Sequence, residues 1–209
     1  MRRTREWDKF WVDRTSGFQE PKSKVEELVP LLRRRKAITV LDLGCGRGRH
    51  VIYLAKKGFV PIGQDISGEG LEMASDALEK EGIRNYVLLN HDVTRLPFCD
   101  NSIDAAISTS ALHHNRIRDI NKAVDELHRV LRRSGILFVD LTARQEHVAG
   151  GREIEKGTYV TKSGPEKGII HHMFTEPEIR STFSKFRILR LTPPTEKEPS
   201  WNLLAEKRE

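Results

Sequence analysis

The stretch Val40-Leu41-Asp42-Leu43-Gly44-Cys45-Gly46-Arg47-Gly48 constrains this chain most. Val40, Leu41 and Leu43 make an apolar strand. Glycines at 44, 46 and 48 let the backbone turn sharply and leave a surface without Cβ atoms, against which an extended ligand can lie. A helix starts at Arg49-His50-Val51, and its first amides point at the same spot, favouring a carboxylate or other anion there. A dinucleotide fingerprint, G-x-G-x-x-G, needs its third glycine at position 49, which is Arg49. The turn reads Asp-x-Gly-x-Gly-x-Gly instead.

The remaining chain alternates strand and helix. Lys22 to Lys36 carries Val25, Leu28, Val29, Leu31 and Leu32 at helical spacing, with Pro30 bending the helix or starting a second one. The helix after the glycine turn ends at Gly58. Residues 59–67 form the second strand and its exit, Leu71 to Lys80 a helix, and Tyr86 to Asn90 the third strand. Ile103 to Ser108 is the fourth strand, Arg118 to Arg132 a helix, and Ser134-Gly135 a turn into the fifth strand, 136–141. Residues 186–191 and 201–207 supply two more. This alternation predicts an open α/β sheet, in which ligands bind at the carboxyl ends of the strands. Asp65, 23 residues after Asp42, closes the second strand. A carboxylate there can accept hydrogen bonds from both hydroxyls of a ribose and repels a phosphorylated one. Its other use is to cap the next helix, a task open to Ser67 as well.

Over residues 38–142 the ordered motifs resemble the class I S-adenosylmethionine-dependent methyltransferases. They are the glycine turn, Asp65, the pair Asp92-Val93 after the third strand, and His-Arg-Val-Leu-Arg-Arg-Ser-Gly-Ile-Leu before the fifth. The resemblance implies a Rossmann-like, doubly wound, seven-stranded and mostly parallel sheet with helices on both faces, ending in an antiparallel pair. It implies S-adenosylmethionine as cofactor and S-adenosylhomocysteine as product. Asp42 and the 44–48 backbone would hold the methionine end, Asp65 the ribose, Asp92 the adenine amino group, and the Val93 amide a ring nitrogen. The implied cofactor-binding set is Asp42, Gly44, Cys45, Gly46, Gly48, Asp65, Ile66, Asp92, Val93 and Ser108.

Trp7 and Trp11 are four apart and share a helix face. Small-molecule members resemble this arrangement, so residues 1–36 are expected to form an N-terminal helical lid segment and 37–209 the methyltransferase domain. The same aromatics would also staple such a helix to the domain. His113 and His114 follow the fourth strand, and paired histidines recur there in small-molecule members. They are the expected catalytic residues, touching cofactor or substrate or taking the substrate's proton. Packing is the competing role, and it is the first expectation for His171 and His172, with facing the site as the second. Gly150-Gly151, Gly157, Gly164 and Gly168 punctuate the tract 143–168, long for a simple connection. A short strand or hairpin near 157–160 is expected to cover the substrate site. An extended stretch at 169–174 should follow, then a helix capped by Thr175 with Glu178 completing a capping box.

The length of 209 residues suits one domain. No apolar run approaches the roughly 20 residues that span a bilayer, and the basic N-terminus has no apolar signal region. Cys45 and Cys99 are too few for a disulfide framework and lack metal-type spacing, so no metal and a reducing cytoplasm are expected. The net charge of +6 is spread widely. Its densest run, Arg33-Arg34-Arg35-Lys36, reads as a solvated helix C-terminus or as a patch for RNA. A small-molecule acceptor is the first expectation, an RNA or protein acceptor the second. A non-catalytic S-adenosylmethionine-binding protein is the third. After the fourth strand stands Ser108-Thr109-Ser110-Ala111 rather than an Asn-Pro-Pro-Tyr-type tetrapeptide. Nothing in the pattern bears on oligomeric state.

Overall fold

A computed structural model describes residues 2–12, 20–144 and 151–208. Parts of the expected lid segment (13–19) and of the glycine-punctuated tract (145–150) lie outside the described residues.

The elements run α1 (Arg2–Val12), α2 (Ser23–Glu26), α3 (Val29–Arg34), β1 (Thr39–Leu43), α4 (Arg49–Lys56), β2 (Val60–Asp65), α5 (Gly68–Lys80), β3 (Val87–Asn90), β4 (Ile103–Ser108), α6 (Ile117–Val130) and β5 (Leu131–Thr142). Then come β6 (Gly151–Glu155), β7 (Thr158–Thr161), β8 (Ile170–His172), α7 (Glu176–Thr182), β9 (Phe186–Thr192) and β10 (Ser200–Lys207). The main sheet has seven strands in the order β3-β2-β1-β4-β5-β10-β9. Strands β1 to β5 pair in parallel, and β10 runs antiparallel to both β5 and β9. This is the expected Rossmann-like architecture.

Alternation along the central strands builds two apolar faces. Leu41, Leu43, Ala106, Leu137, Val139 and Leu141 pack with Ile120, Val124 and Leu127 of α6 and Ile179 of α7. Val40, Ala105, Ile107, Ile136 and Phe138 point the other way, onto Val25, Leu28, Val29 and Leu32 of the α2–α3 segment and Leu54 of α4. Half of the expected lid segment is therefore core. Pro30 stands in the first turn of α3, so it starts a second short helix rather than bending a long one. Asp42 has the parity of Val40 and so faces α4.

Two local expectations need correction. Helix α6 stops at Val130, and the chain passes directly into β5, with Leu131 already extended. Ser134, with φ of 57°, lies inside β5 at an irregularity where Ile103 pairs with Leu131 but Ala105 with Ile136. The hydrogen bonds regained by continuing the strand outweigh the turn signal. The hairpin expected near 157–160 is present as β6–β7, which β8 joins in a separate three-stranded sheet. Second, Thr175 is the N-cap of α7 but accepts no capping bond from it. Glu178 is turned instead toward His172 Nε2, 3.1 Å away.

Candidate functional site

The site lies at the carboxyl ends of β1, β2 and β4, where the order reverses between β1 and β4. Its floor is the glycine turn. Gly44 and Gly46 adopt φ of +75° and +52°, left-handed values that glycine reaches without strain. A Cβ on Gly44 would overlap Ala111, and one on Gly46 would overlap the Trp11 indole. The turn is pinned by Gly44 N and Cys45 N, which donate to Gln64 O at 2.7 and 2.9 Å. It is pinned again by Gly46 N, which donates to Asp65 Oδ2 at 2.7 Å. Asp65 Oδ1 accepts from Ser67 N at 2.9 Å. Asp65 does not cap α5: Ser67 does, its hydroxyl accepting from Gly70 N at 3.1 Å. Burial, aided by the charge of Asp8, pushes the Asp65 carboxyl up against the pull of these amides.

Two adjoining cavities open on this floor. One, of about 80 Å³, is lined by Gly44, Asp65, Ile66, Asp92, Val93, Ala111 and Asn115 among others. The other, of about 320 Å³, is lined by Cys45, Gly46, Arg47, Arg49, His50 and Lys22 among others. Trp7, Trp11, Ser110 and His114 line both. Helix α1 forms their roof. The Trp11 indole lies over Gly46 and Gly70, and Asp8 Oδ1 accepts from the Ser67 hydroxyl at 2.6 Å. Trp7 meets His114 edge-on, centroids 4.9 Å apart.

The expected cofactor residues divide by place. Asp65, Ile66, Asp92, Val93, Gly44, Cys45 and Gly46 border the cavities. Asp92 Oδ1 also closes a turn by accepting from Thr94 N at 2.9 Å and the Thr94 hydroxyl at 2.7 Å. Gly48 lies beyond the rim as the residue before α4. Ser108 is fully buried and donates to Leu43 O at 3.1 Å, bridging β4 to β1 below the floor. Asp42 stands behind His50, Oδ2 lying 3.8 Å from His50 Nδ1 and hydrogen-bonded to nothing. Burial pushes its carboxyl up to about 7, with Arg49 opposing. Burial likewise drives His50 down to about 3, aided by Arg49 and Lys22.

His113, His114 and His171 meet at the wall of the cavities, their ligand nitrogens all within 4.8 Å of one another. Burial, followed by neighbouring charges that include His171 and Lys22, lowers His113 to about 3. Burial and the charges of His113 and His171 hold His114 well below its ordinary range. Both are neutral imidazoles at pH 7. His172 points away, its Nδ1 2.7 Å from the Thr158 hydroxyl and its Nε2 on Glu178. Sequence reasoning missed Lys22, whose ammonium bridges the Ser110 hydroxyl and Asp140 at the cavity mouth. No spacing signal joins residues 22, 110 and 140. The basic run is partly structural: Arg35 pairs with Glu206 at 2.6 Å and Arg33 donates to Lys57 O at 3.3 Å. Among the described residues, no helix is long and apolar enough to cross a membrane.

Residues 40–135 match a family model described as a methyltransferase domain. The 27-O-demethylrifamycin SV methyltransferase of Amycolatopsis mediterranei is 28% identical over 214 residues, covering 96% of this chain and 73% of that protein. The methyltransferase GfsG of Streptomyces halstedii is 35% identical over 141 residues, 65% of this chain and 50% of the other, so the chain spans about half the length of that relative. The crystal structure of the PH0226 protein from Pyrococcus horikoshii OT3 superposes with a TM-score of 0.73 at 22% identity, covering 89% of this chain and 91% of the other.

Proposed function

We propose that the chain is a class I S-adenosylmethionine-dependent methyltransferase that transfers a methyl group to a small-molecule acceptor. The observation that carries the reading is the cavity pair over the glycine turn. Its polar and orphaned groups suit a nucleoside with an amino-acid tail. Asp65 would hold the ribose hydroxyls, and Asp92 with the Val93 amide the adenine edge. The Cβ-free surface of Gly44 to Gly46 would carry the amino-acid tail, with Asp42 and Arg49 setting the charge at that end. Bound there, the cofactor supplies a methyl group on a sulfonium, already a good leaving group. The protein's share is therefore mostly alignment.

The acceptor would enter the larger cavity beneath α1. Lys22, Ser110, Thr109 and His114 offer it polar contacts, while Trp7 and Phe10 offer apolar ones. A neutral His114 imidazole there accepts a hydrogen bond from an acceptor hydroxyl or amine, and His113 supports it from behind. Helix α1, rather than all of 1–36, would act as the lid, because α2 and α3 are buried in the core. A small acceptor is favoured by this roof, which closes the cavities to a nucleic acid duplex. It is favoured too by a relative whose name gives a rifamycin as its substrate. Two free thiols, buried Cys45 and exposed Cys99, suit a reducing cytoplasm.

Calorimetric titration with S-adenosylmethionine and S-adenosylhomocysteine tests the donor site, and a panel of small hydroxylated and aromatic acceptors with radiolabelled donor tests the transfer. Binding of both nucleosides with turnover of a small acceptor supports the reading. Absence of binding removes its base, and turnover confined to RNA or protein overturns the acceptor class.

A further inference from the structure

We propose that His113, His114 and His171 form a binding site for one divalent transition-metal cation of the zinc class, with Glu166 as a fourth ligand, in the wall of the acceptor cavity. The three imidazoles come from two distant parts of the chain. Residues 113 and 114 follow β4, while 171 is in β8. A backbone bond brings them together: His172 N donates to His113 O at 2.7 Å. Ring centroids are 4.3 Å apart for His113–His114 and 4.6 Å for His114–His171.

The nitrogens have the chemistry of ligands. His113 Nδ1 and His171 Nε2 are both buried and, among the described residues, make no hydrogen bond. An orphaned buried nitrogen is costly, and two aimed into one cluster ask for a shared partner. His171 Nε2 also lies 3.2 Å from Glu166 Oε2 without hydrogen-bond geometry. His114 has its Nδ1 3.1 Å from Ile170 O, the backbone contact that orients a metal-binding imidazole and leaves Nε2 its lone pair. Imidazole nitrogens with one carboxylate select zinc, cobalt or nickel over magnesium or calcium.

The distances are those of a site that closes on its ion. Bonds of about 2.0–2.1 Å to a tetrahedral cation separate the nitrogens by roughly 3.4 Å. Ligand atoms within 4.8 Å reach that spacing by side-chain rotations of about 1 Å. Glu166 and His114 border the larger cavity, so the ion would be reachable from it. With the ion bound, the His114 lone pair is taken, and an oxygen of the acceptor would meet the ion in place of Glu166 rather than hydrogen-bond to His114. The site itself does not depend on methyl transfer.

The test uses the full chain without a histidine tag, stripped with a chelator and titrated with Co²⁺ while visible absorption is followed. One equivalent should bind, with the intense d–d bands of a four-coordinate centre, and Zn²⁺ should bleach them. His171→Ala should weaken Co²⁺ binding by about 100-fold or more, beyond the 10- to 100-fold typical of losing an orienting partner. Glu166→Gln, at a half-exposed position, should weaken it less and leave the far-UV circular dichroism unchanged. Absence of saturable Co²⁺ binding by the wild-type chain overturns the proposal. So does equal affinity in His171→Ala. Neither readout involves the methyl donor, so failure here leaves the reading of the donor site standing.

Discussion

Replacing Asp65 separates the two tasks that its carboxylate performs. Its oxygens accept from Gly46 N at 2.7 Å and from Ser67 N at 2.9 Å, and both donors are buried. A hydrogen bond to a charged acceptor contributes about 1.5–3 kcal/mol net. Two such bonds set an upper range, from which the desolvation of the carboxylate must be subtracted. That burial is large enough to raise the group's pKa despite the amides. Asp65→Ala should therefore cost about 2–4 kcal/mol of folding stability without any ligand. Asp65→Asn keeps one carbonyl but turns an NH₂ toward the other donor, so it should cost about half as much. Urea denaturation followed by circular dichroism measures both. Donor binding, measured by calorimetry at a temperature where each variant is folded, should fall in Asp65→Ala by about 1–3 kcal/mol, or roughly 5- to 150-fold. A stability within about 0.5 kcal/mol of wild type would refute the hydrogen-bond argument. Lost stability with unchanged donor affinity would mean that the carboxylate only clamps the glycine turn, and the ribose assignment would fall.

Three more perturbations test separate parts of the structure. Asp42 has a folded pKa of about 7 against an ordinary 3.8 because of burial, so the folded state binds its proton more tightly. This group's contribution to stability is then lost as pH rises from about 4 to 7. Asp42→Asn should flatten that slope and stabilise the unliganded chain at pH 8, while weakening S-adenosylmethionine binding; a variant less stable at pH 8 contradicts the burial argument. Gly46→Ala places a Cβ in the Trp11 indole at φ of +52°. It should cost about 1–2 kcal/mol and red-shift tryptophan emission as α1 lifts, and an unchanged spectrum would mean that α1 does not rest on this turn. Asp104 Oδ2 accepts from Ile38 N and Thr39 N at 2.7 and 2.8 Å, and its Oδ1 forms an ion pair with the Arg132 guanidinium, 2.6 Å from Nε. Burial opposes these partners, but together they hold its pKa below the ordinary value. Its stabilisation is present above about pH 4 and lost as pH falls through the folded pKa, so Asp104→Asn should be about 1–3 kcal/mol less stable at pH 7 and converge with wild type in acid.

The glycine turn and Asp65 of the candidate site were legible because they are made of local sequence. A parallel strand buried on both faces reads as an apolar run, and the glycine turn follows it within a few residues. Asp65 could be placed because it ends such a run, whereas Asp92, two residues beyond β3, was placed by the family resemblance. What resisted reading was decided by non-local competition. The continuation of α6 into β5 depends on pairing Leu131 with Ile103, which lies on another strand. The capping box at Thr175 depended on Glu178 being free, and His172, delivered by β8, is the partner it takes. The fate of Lys22 was equally hidden, since Asp140 lies at the end of the fifth strand.

The acceptor wall shows why such sites escape sequence reasoning. Successive residues on a strand point to opposite faces, so either His171 or His172 could have joined His113 and His114, but not both. The pattern Ile169 to Phe174 does not choose between them, because apolar residues flank the pair on both sides. The choice is made by register: Thr158 pairs with His172 and Tyr159 with His171 across β7 and β8. Thr158 is fully buried, and its hydroxyl meets His172 Nδ1, which fixes His172 on the packed face beside Phe174. A slip of one residue would exchange the two histidines, leaving the Thr158 hydroxyl without its partner and turning the Glu178 contact away from imidazole. The composition of the acceptor wall is thus set by a threonine that never touches it, through a strand pairing that no short motif encodes.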